Sequence, residues 1–239
     1  MKKKHSVRRT VFFIIAVWLC IAVGVGLFWG AKGYQMYQDA ASETTIEEKV
    51  DEIRGREEFT SYTDLTDFYI EAVKSVEDRR FEKHPGIDPL AICRALWSNI
   101  KARSFEEGGS TITQQLAKNL LFTQDKKIER KFAEIFAAFD IEAKYSKKEI
   151  LELYVNTAYF GSGYYGIYAA STGYFGKTPS ELTEYEAAML AGVVAAPSAY
   201  SPDVSAKLSS ERTRQVLYSM VRNKVLTQEE ADRIAEPYL

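Results

Sequence analysis

The chain has 239 residues, of which 46% are hydrophobic and 27% charged, an ordinary globular composition with room for one sizeable domain. Its net charge is −2, but five basic residues and no acid occur within the first nine positions. Without these five, 26 basic residues face 33 acidic ones. A basic nucleic-acid surface is therefore excluded as a global property, and no nucleic acid partner is expected.

The first predicted element is a membrane anchor over residues 11–31, which contain no charged side chain. As a helix this segment would be about 30 Å long, the thickness of the hydrocarbon core of a bilayer. A cleaved signal peptide has a shorter apolar core and a small-residue cleavage site, and a buried core helix is rarely so long and apolar. The basic residues before it predict a cytoplasmic tail at 1–10 and place everything after Lys32 outside.

The remainder is predicted to be a polar stalk at 32–58 and one domain at 59–239. Apolar residues recur in the domain at helical spacing, for example at Ile128, Phe132, Ile135, Phe136 and Phe139. Alternating strand patterns are nearly absent. The segment 160–179 contains five glycines and is predicted to be a loop packed closely on its surroundings. The fold class is therefore mostly α, with one N-terminal transmembrane helix.

The two cysteines and two histidines do not suggest a metal site. Cys20 lies in the predicted anchor and Cys93 in a predicted helix, so they are not expected to pair. Neither cysteine has a second Cys or His at ligand spacing, and His5 and His84 are far apart in sequence. A structural zinc site is therefore not expected.

The segment 106–122, EEGGSTITQQLAKNLLF, predicts a helix whose first turns are unusually polar. Thr111 and Gln114 form a capping-box pattern, and Gly108 and Gly109 permit a sharp entry. Free N–H groups and the helix dipole would make this end an anion site. One face of this helix would be polar, because three of its positions are separated by three or four residues. These positions are Thr111, then Gln114 or Gln115, then Lys118. An ordinary capped helix with a solvated polar face explains the same pattern equally well.

Two further clusters contain charged residues at helical positions. Glu77 and Asp78 follow the apolar Val73 and Val76, so Glu77 stands where burial can tune a proton acceptor. A helix end with ordinary charge pairs is the alternative. Arg130 and Glu134 are four residues apart and can pair across a turn, which is usually only surface charge patterning.

Taken in order, these clusters resemble the motifs of the peptidoglycan glycosyltransferase family, the lysozyme-like polymerase module of class A penicillin-binding proteins. The matching segments lie between about Ile70 and Pro202, and the second is the most specific. In chain order they are EDRRFEKHPGID, GGSTITQQLAKN, RKFAE, KKEILELYVN and YFGSGYYGIYAASTGYFGK. The short chain with its single anchor looks like a monofunctional biosynthetic peptidoglycan transglycosylase.

The resemblance implies a lysozyme-like, two-lobed, all-α domain that polymerises lipid II into β-1,4-linked glycan with inversion and releases undecaprenyl pyrophosphate. It implies two catalytic residues, Glu77 as the base and Glu134 as its partner on the donor side. It also implies a set of substrate-binding residues: Asp78, Phe81, Ser110, Thr111, Gln114, Gln115, Lys118, Asn119, Lys126, Arg130 and Lys131. Moenomycin, a mimic of the lipid-linked glycan, would compete for the same cleft.

The resemblance also implies the surroundings of the enzyme. The partners would be lipid II, the growing lipid-linked glycan, the bilayer and other cell-wall synthesis proteins. The location would be the bacterial cell membrane, with a single pass, a cytoplasmic N-terminus and an extracytoplasmic catalytic domain. The resemblance implies no definite cofactor, but it admits a divalent metal, Mg²⁺ or Mn²⁺, at the pyrophosphate. The sequence contains no dedicated ligand set for it.

Two positions depart from the family pattern. Lys126 stands where an arginine often contacts phosphate, which keeps the charge but loses the bidentate fork. Tyr168 stands where many relatives have glutamate, so no role is assigned to it.

Between the first two motifs, four apolar residues fall in the family's mobile jaw: Leu96, Trp97, Ile100 and Phe105. They could enter the membrane interface, or, for Leu96 and Ile100, be ordinary core contacts.

Three alternatives can be weighed against this function. A penicillin-binding transpeptidase is suggested by Ser98 to Lys101, Tyr154 to Asn156 and Lys177-Thr178, but the third motif reads K-T-P and its strand is missing. A lysozyme-like peptidoglycan hydrolase would share the catalytic glutamate but needs no pyrophosphate face. A scaffold that has lost activity would not need intact motifs.

Overall fold

The computed structural model describes residues 2–102, 108–123 and 127–236, and side chains from residue 12 onward except that of residue 102. Within these ranges there are no strands, and a single isolated bridge joins Tyr159 and Tyr165. The prediction of a mostly α chain with one N-terminal apolar helix is therefore confirmed. The division into two lysozyme-like lobes stays a prediction.

The described residues form twelve α-helices, numbered in chain order. They are α1 Lys2–Glu43, α2 Ile46–Arg54, α3 Asp67–Glu77, α4 Pro89–Ala102, α5 Ile112–Leu121, α6 Ile128–Lys144, α7 Lys147–Thr157, α8 Ile167–Phe175, α9 Glu184–Val193, α10 Pro197–Tyr200, α11 Ala206–Arg222 and α12 Gln228–Ala235. Short 3₁₀ turns occur at Tyr62–Asp64, Phe81–Lys83 and Pro179–Glu181.

Helix α1 is one continuous helix that contains the predicted anchor and extends well past it. Its apolar part, from Phe12 to Phe28, is exposed along its length, and the helix is long and apolar enough to cross a membrane. Beyond the apolar part, α1 packs along α6. Gly33 makes this contact possible, because a Cβ at this position would overlap Phe132 Cβ and lie 2.9 Å from the Ala133 backbone nitrogen.

The segment predicted as a stalk is helical and joins the domain. Helix α2 is closed by a full capping box between Thr45 and Glu48. It buries Ile46, Val50 and Ile53 in the main core. A partly helical stalk agrees with the sequence, but its packing on the domain follows from the apolar face of α2, whose three buried positions are separated by polar residues.

The core of the domain is built around α3, α5, α6, α7, α9 and α11. Helix α9 is buried on nearly all sides, with Ala187, Ala188, Leu190 and Ala191 inaccessible to solvent. It packs against α3 on one side and α11 on the other. The predicted capping box of Thr183 and Glu186 begins this helix. Helices α3, α9 and α11 all contact one another, and Asn223, directly after α11, donates to the Ser75 carbonyl near the C-terminal end of α3.

The glycine-rich segment is a loop only up to Gly166; the prediction of a loop was wrong for Ile167–Phe175, which form α8. Gly166 has a φ of 84°, and a Cβ there would lie 3.0 Å from the carbonyl oxygen of Asn156.

Helix α4 exposes its apolar side chains. Leu96 is 58% exposed, and Trp97 and Ile100 are each 73% exposed, so none of them is a core contact. Phe105 lies outside the described residues.

Candidate active site

Glu77 is the last residue of α3. The helix is capped by Thr66, whose hydroxyl accepts from the Tyr69 N–H, and it buries Tyr69 and Val73 against the core. Glu77 is half-buried, and its Oε2 accepts a hydrogen bond of 2.8 Å from Gln115 Nε2. Burial raises the pKa of the Glu77 carboxyl, and this effect exceeds the opposing effects of the Gln115 hydrogen bond and nearby positive charges. The group is thus suited to take up a proton.

Asp78, the next residue, fixes this end of α3 to the beginning of α5. It is buried and accepts from His84 Nε2 at 2.9 Å and from the Ile112 N–H at 3.1 Å. Phe81 is fully buried and packs edge-on against the His84 ring, with ring centroids 6.3 Å apart. Asp78 and Phe81 are thus buried at the helix end that carries Glu77, and the charge of Asp78 also contributes to the raised pKa of Glu77.

Thr111 and Gln114 form the predicted capping box at the start of α5. The Thr111 hydroxyl accepts from the Gln114 N–H at 3.1 Å, and Gln114 Oε1 accepts from the Thr111 N–H at 3.1 Å. The Thr111 hydroxyl also donates to the carbonyl of Gly86 at 2.5 Å. Both residues are 2% exposed. The single polar face expected here is therefore divided, with Thr111 and Gln114 turned inward and Gln115 and Lys118 left on the outer side.

Lys118 lies one turn after Gln115 on the same face of α5. It is half-buried, and no carboxylate of the described residues lies within ion-pair distance of its ammonium group. Burial lowers the pKa of Lys118; Arg130 and Lys131 also lower it, whereas Glu134 and Glu77 raise it. Lys118 is thus a partly desolvated cation near enough to both glutamates for their charges to affect its pKa. Asn119, the next residue, is also half-buried.

Helix α6 brings two further cations, Arg130 and Lys131, near Lys118. Glu134 is 2% exposed. Its Oε2 is 2.6 Å from Lys131 Nζ, and its Oε1 is 3.4 Å from Arg130 Nε. Lys131 Nζ also donates to Ser110 Oγ at 2.7 Å, which ties the entry of α5 to α6. The predicted pair of Arg130 and Glu134 is therefore present, but it is buried and shared with Lys131. Lys126 lies outside the described residues.

Two further residues at the site were not found from the sequence. Arg212 on α11 is near enough for its charge to lower the pKa of Glu77, and its guanidinium lies over the Tyr200 ring and donates to the Gly192 carbonyl at 3.3 Å. Tyr154 on α7 is buried and donates to Gln115 Oε1 at 3.3 Å. Tyr154 lies in the matched segment KKEILELYVN, but nothing in that segment indicates its contact with Gln115, and no local pattern marks Arg212.

The site does not fit a metal ion held by the protein alone. No group of three or more His, Cys, Asp and Glu side chains in the described ranges could hold one. On the donor side, Glu134 is already paired with Lys131 and Arg130. The cations around it would oppose a divalent ion.

The transpeptidase alternative finds no support in the described ranges. Tyr154 is buried. Lys177 Nζ is 2.8 Å from both carboxylate oxygens of Glu186, and Thr178 leads into a 3₁₀ turn where the transpeptidase motif needs a strand. These residues thus belong to the helical packing.

Comparison with known proteins identifies the family. The transglycosylase family model matches residues 43–221. Penicillin-binding protein 1A of Neisseria gonorrhoeae is 42% identical over 178 residues, which are 74% of this chain and 22% of that protein. The Vibrio cholerae protein is 45% identical over 171 residues, 71% of this chain and 21% of that protein. The Aquifex aeolicus protein is 44% identical over 172 residues, which are 72% of this chain and 24% of that protein.

The chain thus matches less than a quarter of the length of these relatives. The matched region contains the end of α3, the front of α5 and the first turns of α6, which carry the residues of the candidate site. The chain belongs to the transglycosylase family.

Proposed function

We propose that this chain is a peptidoglycan glycosyltransferase that polymerises lipid II. The observation that supports it best is the arrangement of Glu77, Gln115 and Lys118. A carboxylate whose pKa is raised by burial stands beside a cation that lacks a carboxylate partner among the described residues. Such a pair suits a reaction that needs a base at one side and a binding site for an anionic leaving group at the other.

In the proposed reaction, Glu77 takes the proton from the acceptor sugar hydroxyl. The hydroxyl oxygen bonds to the anomeric carbon of the donor from the face opposite the leaving group, and the bond from that carbon to the pyrophosphate oxygen breaks. This is the inverting logic of glycosidases with a sugar hydroxyl in place of water. The pyrophosphate leaves as an anion, so an acid catalyst is less necessary.

The donor pyrophosphate would be bound by Lys118, Arg130 and Lys131, together with Gln115 and Ser110. Thr111 and Gln114 would support this site by fixing the start of α5. Glu134 would hold Arg130 and Lys131 in position, because it pairs with both. Asn119 and Lys126 would complete the donor side, and Asp78 and Phe81 would hold Glu77.

The same proposal includes location and partners. The apolar part of α1 would cross the bacterial cell membrane once, with the basic tail in the cytoplasm and the catalytic domain outside. The substrates would be lipid II and the growing lipid-linked glycan, and other cell-wall synthesis proteins would be further partners.

One experiment tests the proposal. The detergent-solubilised chain is incubated with lipid II, with and without moenomycin, and the products are separated on a gel. We expect a ladder of glycan polymer that moenomycin abolishes. Fragments released from finished cell wall, with no polymer from lipid II, would instead identify a hydrolase.

A further inference from the structure

The polar part of helix α1 packs against helix α6, which carries the donor-side cations Arg130 and Lys131. The two helices run in the same direction. Lys32 Nζ is 3.9 Å from Glu129 Oε1, Tyr34 packs edge-on against Phe136, and the Tyr37 hydroxyl donates to Asp140 Oδ2 at 2.7 Å. We call this set of contacts, with Gly33 at its centre, the α1–α6 seam.

The seam places the donor-side cations at a defined height along α1. Glu129 of α6 is level with Lys32 of α1, and Phe132 is level with Gly33. Arg130 and Lys131 lie between these two positions of α6. The uncharged segment of α1 ends at Ala31. One residue of α-helix is about 1.5 Å long, so the cations lie within about one helical turn of the end of the apolar segment.

We propose that the α1–α6 seam fixes the donor-side cations at the depth of the lipid headgroups, so that a lipid-linked pyrophosphate is bound while its chain stays in the bilayer. The inference rests on the proposed function, because it needs a membrane-anchored enzyme and a lipid-linked donor. Gly33 is thus a positioning residue, since any larger side chain forces the two helices apart. It does not touch the substrate.

A seven-residue insertion tests the height directly. Seven glutamines after Ala31 lengthen the polar part of α1 by about 10 Å and nearly two full turns, so the seam itself and the facing of the domain are kept while the seam moves away from the apolar segment. In proteoliposomes with bilayer-embedded lipid II, we expect the insertion to reduce polymerisation at least about tenfold, because small misplacements of reacting groups are costly. With a short-chain lipid II analogue in detergent, its rate should stay close to that of the unmodified chain.

Substitutions at two glycines test the seam. Gly33→Leu should show the same selective loss on bilayer-embedded lipid II, whereas Gly30→Leu should not, because a Cβ at Gly30 meets no atom within 4 Å. Equal losses of Gly33→Leu on both substrates would show that the seam only supports the fold. Unchanged rates of the insertion variant on both substrates would also overturn the inference.

A depth measurement separates this inference from the proposed function. Ile128, at the start of α6, is 56% exposed and can be replaced by a labelled cysteine after Cys20→Ser and Cys93→Ser. Lipids brominated near the headgroup should quench the fluorophore in the parent chain and much less after the seven-residue insertion. Absence of quenching in the parent overturns the inference, even if lipid II is polymerised. Quenching without any polymerisation would mean that only the proposed function is wrong.

Discussion

Gln115 Nε2 donates a hydrogen bond of 2.8 Å to Glu77 Oε2. This contact joins the end of α3 to the outer face of α5 and connects the proposed base with the proposed donor site. It also opposes the effect of burial on Glu77, because a donor to the carboxylate favours the ionised form. Gln115 therefore has two proposed roles, one toward the substrate and one toward the base.

Gln115→Leu is expected to raise the pKa of Glu77 further, because it removes this hydrogen bond. Activity requires ionised Glu77 and falls as pH falls through its pKa, so the acid limb of the rate profile should move to higher pH. Initial polymerisation rates against pH at saturating lipid II measure this. Tyr154→Phe, which removes only the hydroxyl that donates to Gln115, should move the limb less. If the acid limb of the Gln115→Leu profile stays at the pH of the unmodified chain, the hydrogen bond from Gln115 does not tune the pKa of Glu77.

Glu77→Gln is expected to reduce polymerisation by about 100- to 10,000-fold, the usual contribution of a general base, while the protein still folds and binds moenomycin. Steady-state rates and moenomycin binding measure the two properties. Near-normal rates in this variant would show that Glu77 is not the base.

The same substitution should stabilise the folded protein at neutral pH. The raised pKa means that the folded state holds the Glu77 proton more tightly than the unfolded state, so stability is lost as pH rises from the ordinary carboxyl range through the raised pKa. Glutamine cannot ionise and avoids this loss. Thermal melting should therefore give a higher midpoint for Glu77→Gln at pH 7, and the difference from wild type should disappear at acidic pH.

Lys118→Ala is expected to be far more damaging than Lys126→Ala. Lys118 is partly desolvated and lies one turn after Gln115 on the outer face of α5, and loss of a positioned charge in such a site costs about 2–4 kcal/mol of transition-state stabilisation, roughly 30- to 1,000-fold in rate. Lys126 is predicted to be in a solvated loop, where water screens its charge. Initial polymerisation rates compare the two variants, and equal losses would contradict the assignment.

Glu134→Gln is expected to weaken donor binding and to lower the rate less than Glu77→Gln. The substitution removes the charge that holds Arg130 and Lys131, which are themselves partly exposed. The acid limb of the rate profile should remain, because Glu77 is intact. Titration with moenomycin reports the donor site, and loss of the acid limb in Glu134→Gln would reverse the two assignments.

Thr111→Val is expected to destabilise the domain by about 1–3 kcal/mol, because it removes an N-cap and leaves the buried Gly86 carbonyl without its donor. Thr111→Ser keeps the hydroxyl and should cost much less. Urea denaturation of the two variants measures the difference. Equal midpoints would show that the capping box does not contribute to stability.

Local features of this protein could be read from the sequence because they depend on residues within about one helical turn. The capping boxes at Thr111 and at Thr183, the end of α3 at Glu77 and the apolar helix at the N-terminus are all of this kind. Hydrogen-bonding side chains at N-caps and apolar residues at a period of 3.6 determine them with little help from the rest of the chain.

The site and the position of the anchor were decided by the tertiary structure. Glu77 meets Gln115 and comes under the influence of Arg212 only because α3, α5 and α11 converge. The capping-box pattern separates Gln114 from Gln115, but the burial of Gln114 depends on the packing around α5. The contact of α1 with α6 at Gly33 likewise needs two distant segments side by side. Burial, which raises the pKa of Glu77 and lowers that of Lys118, is a property of the whole packed domain.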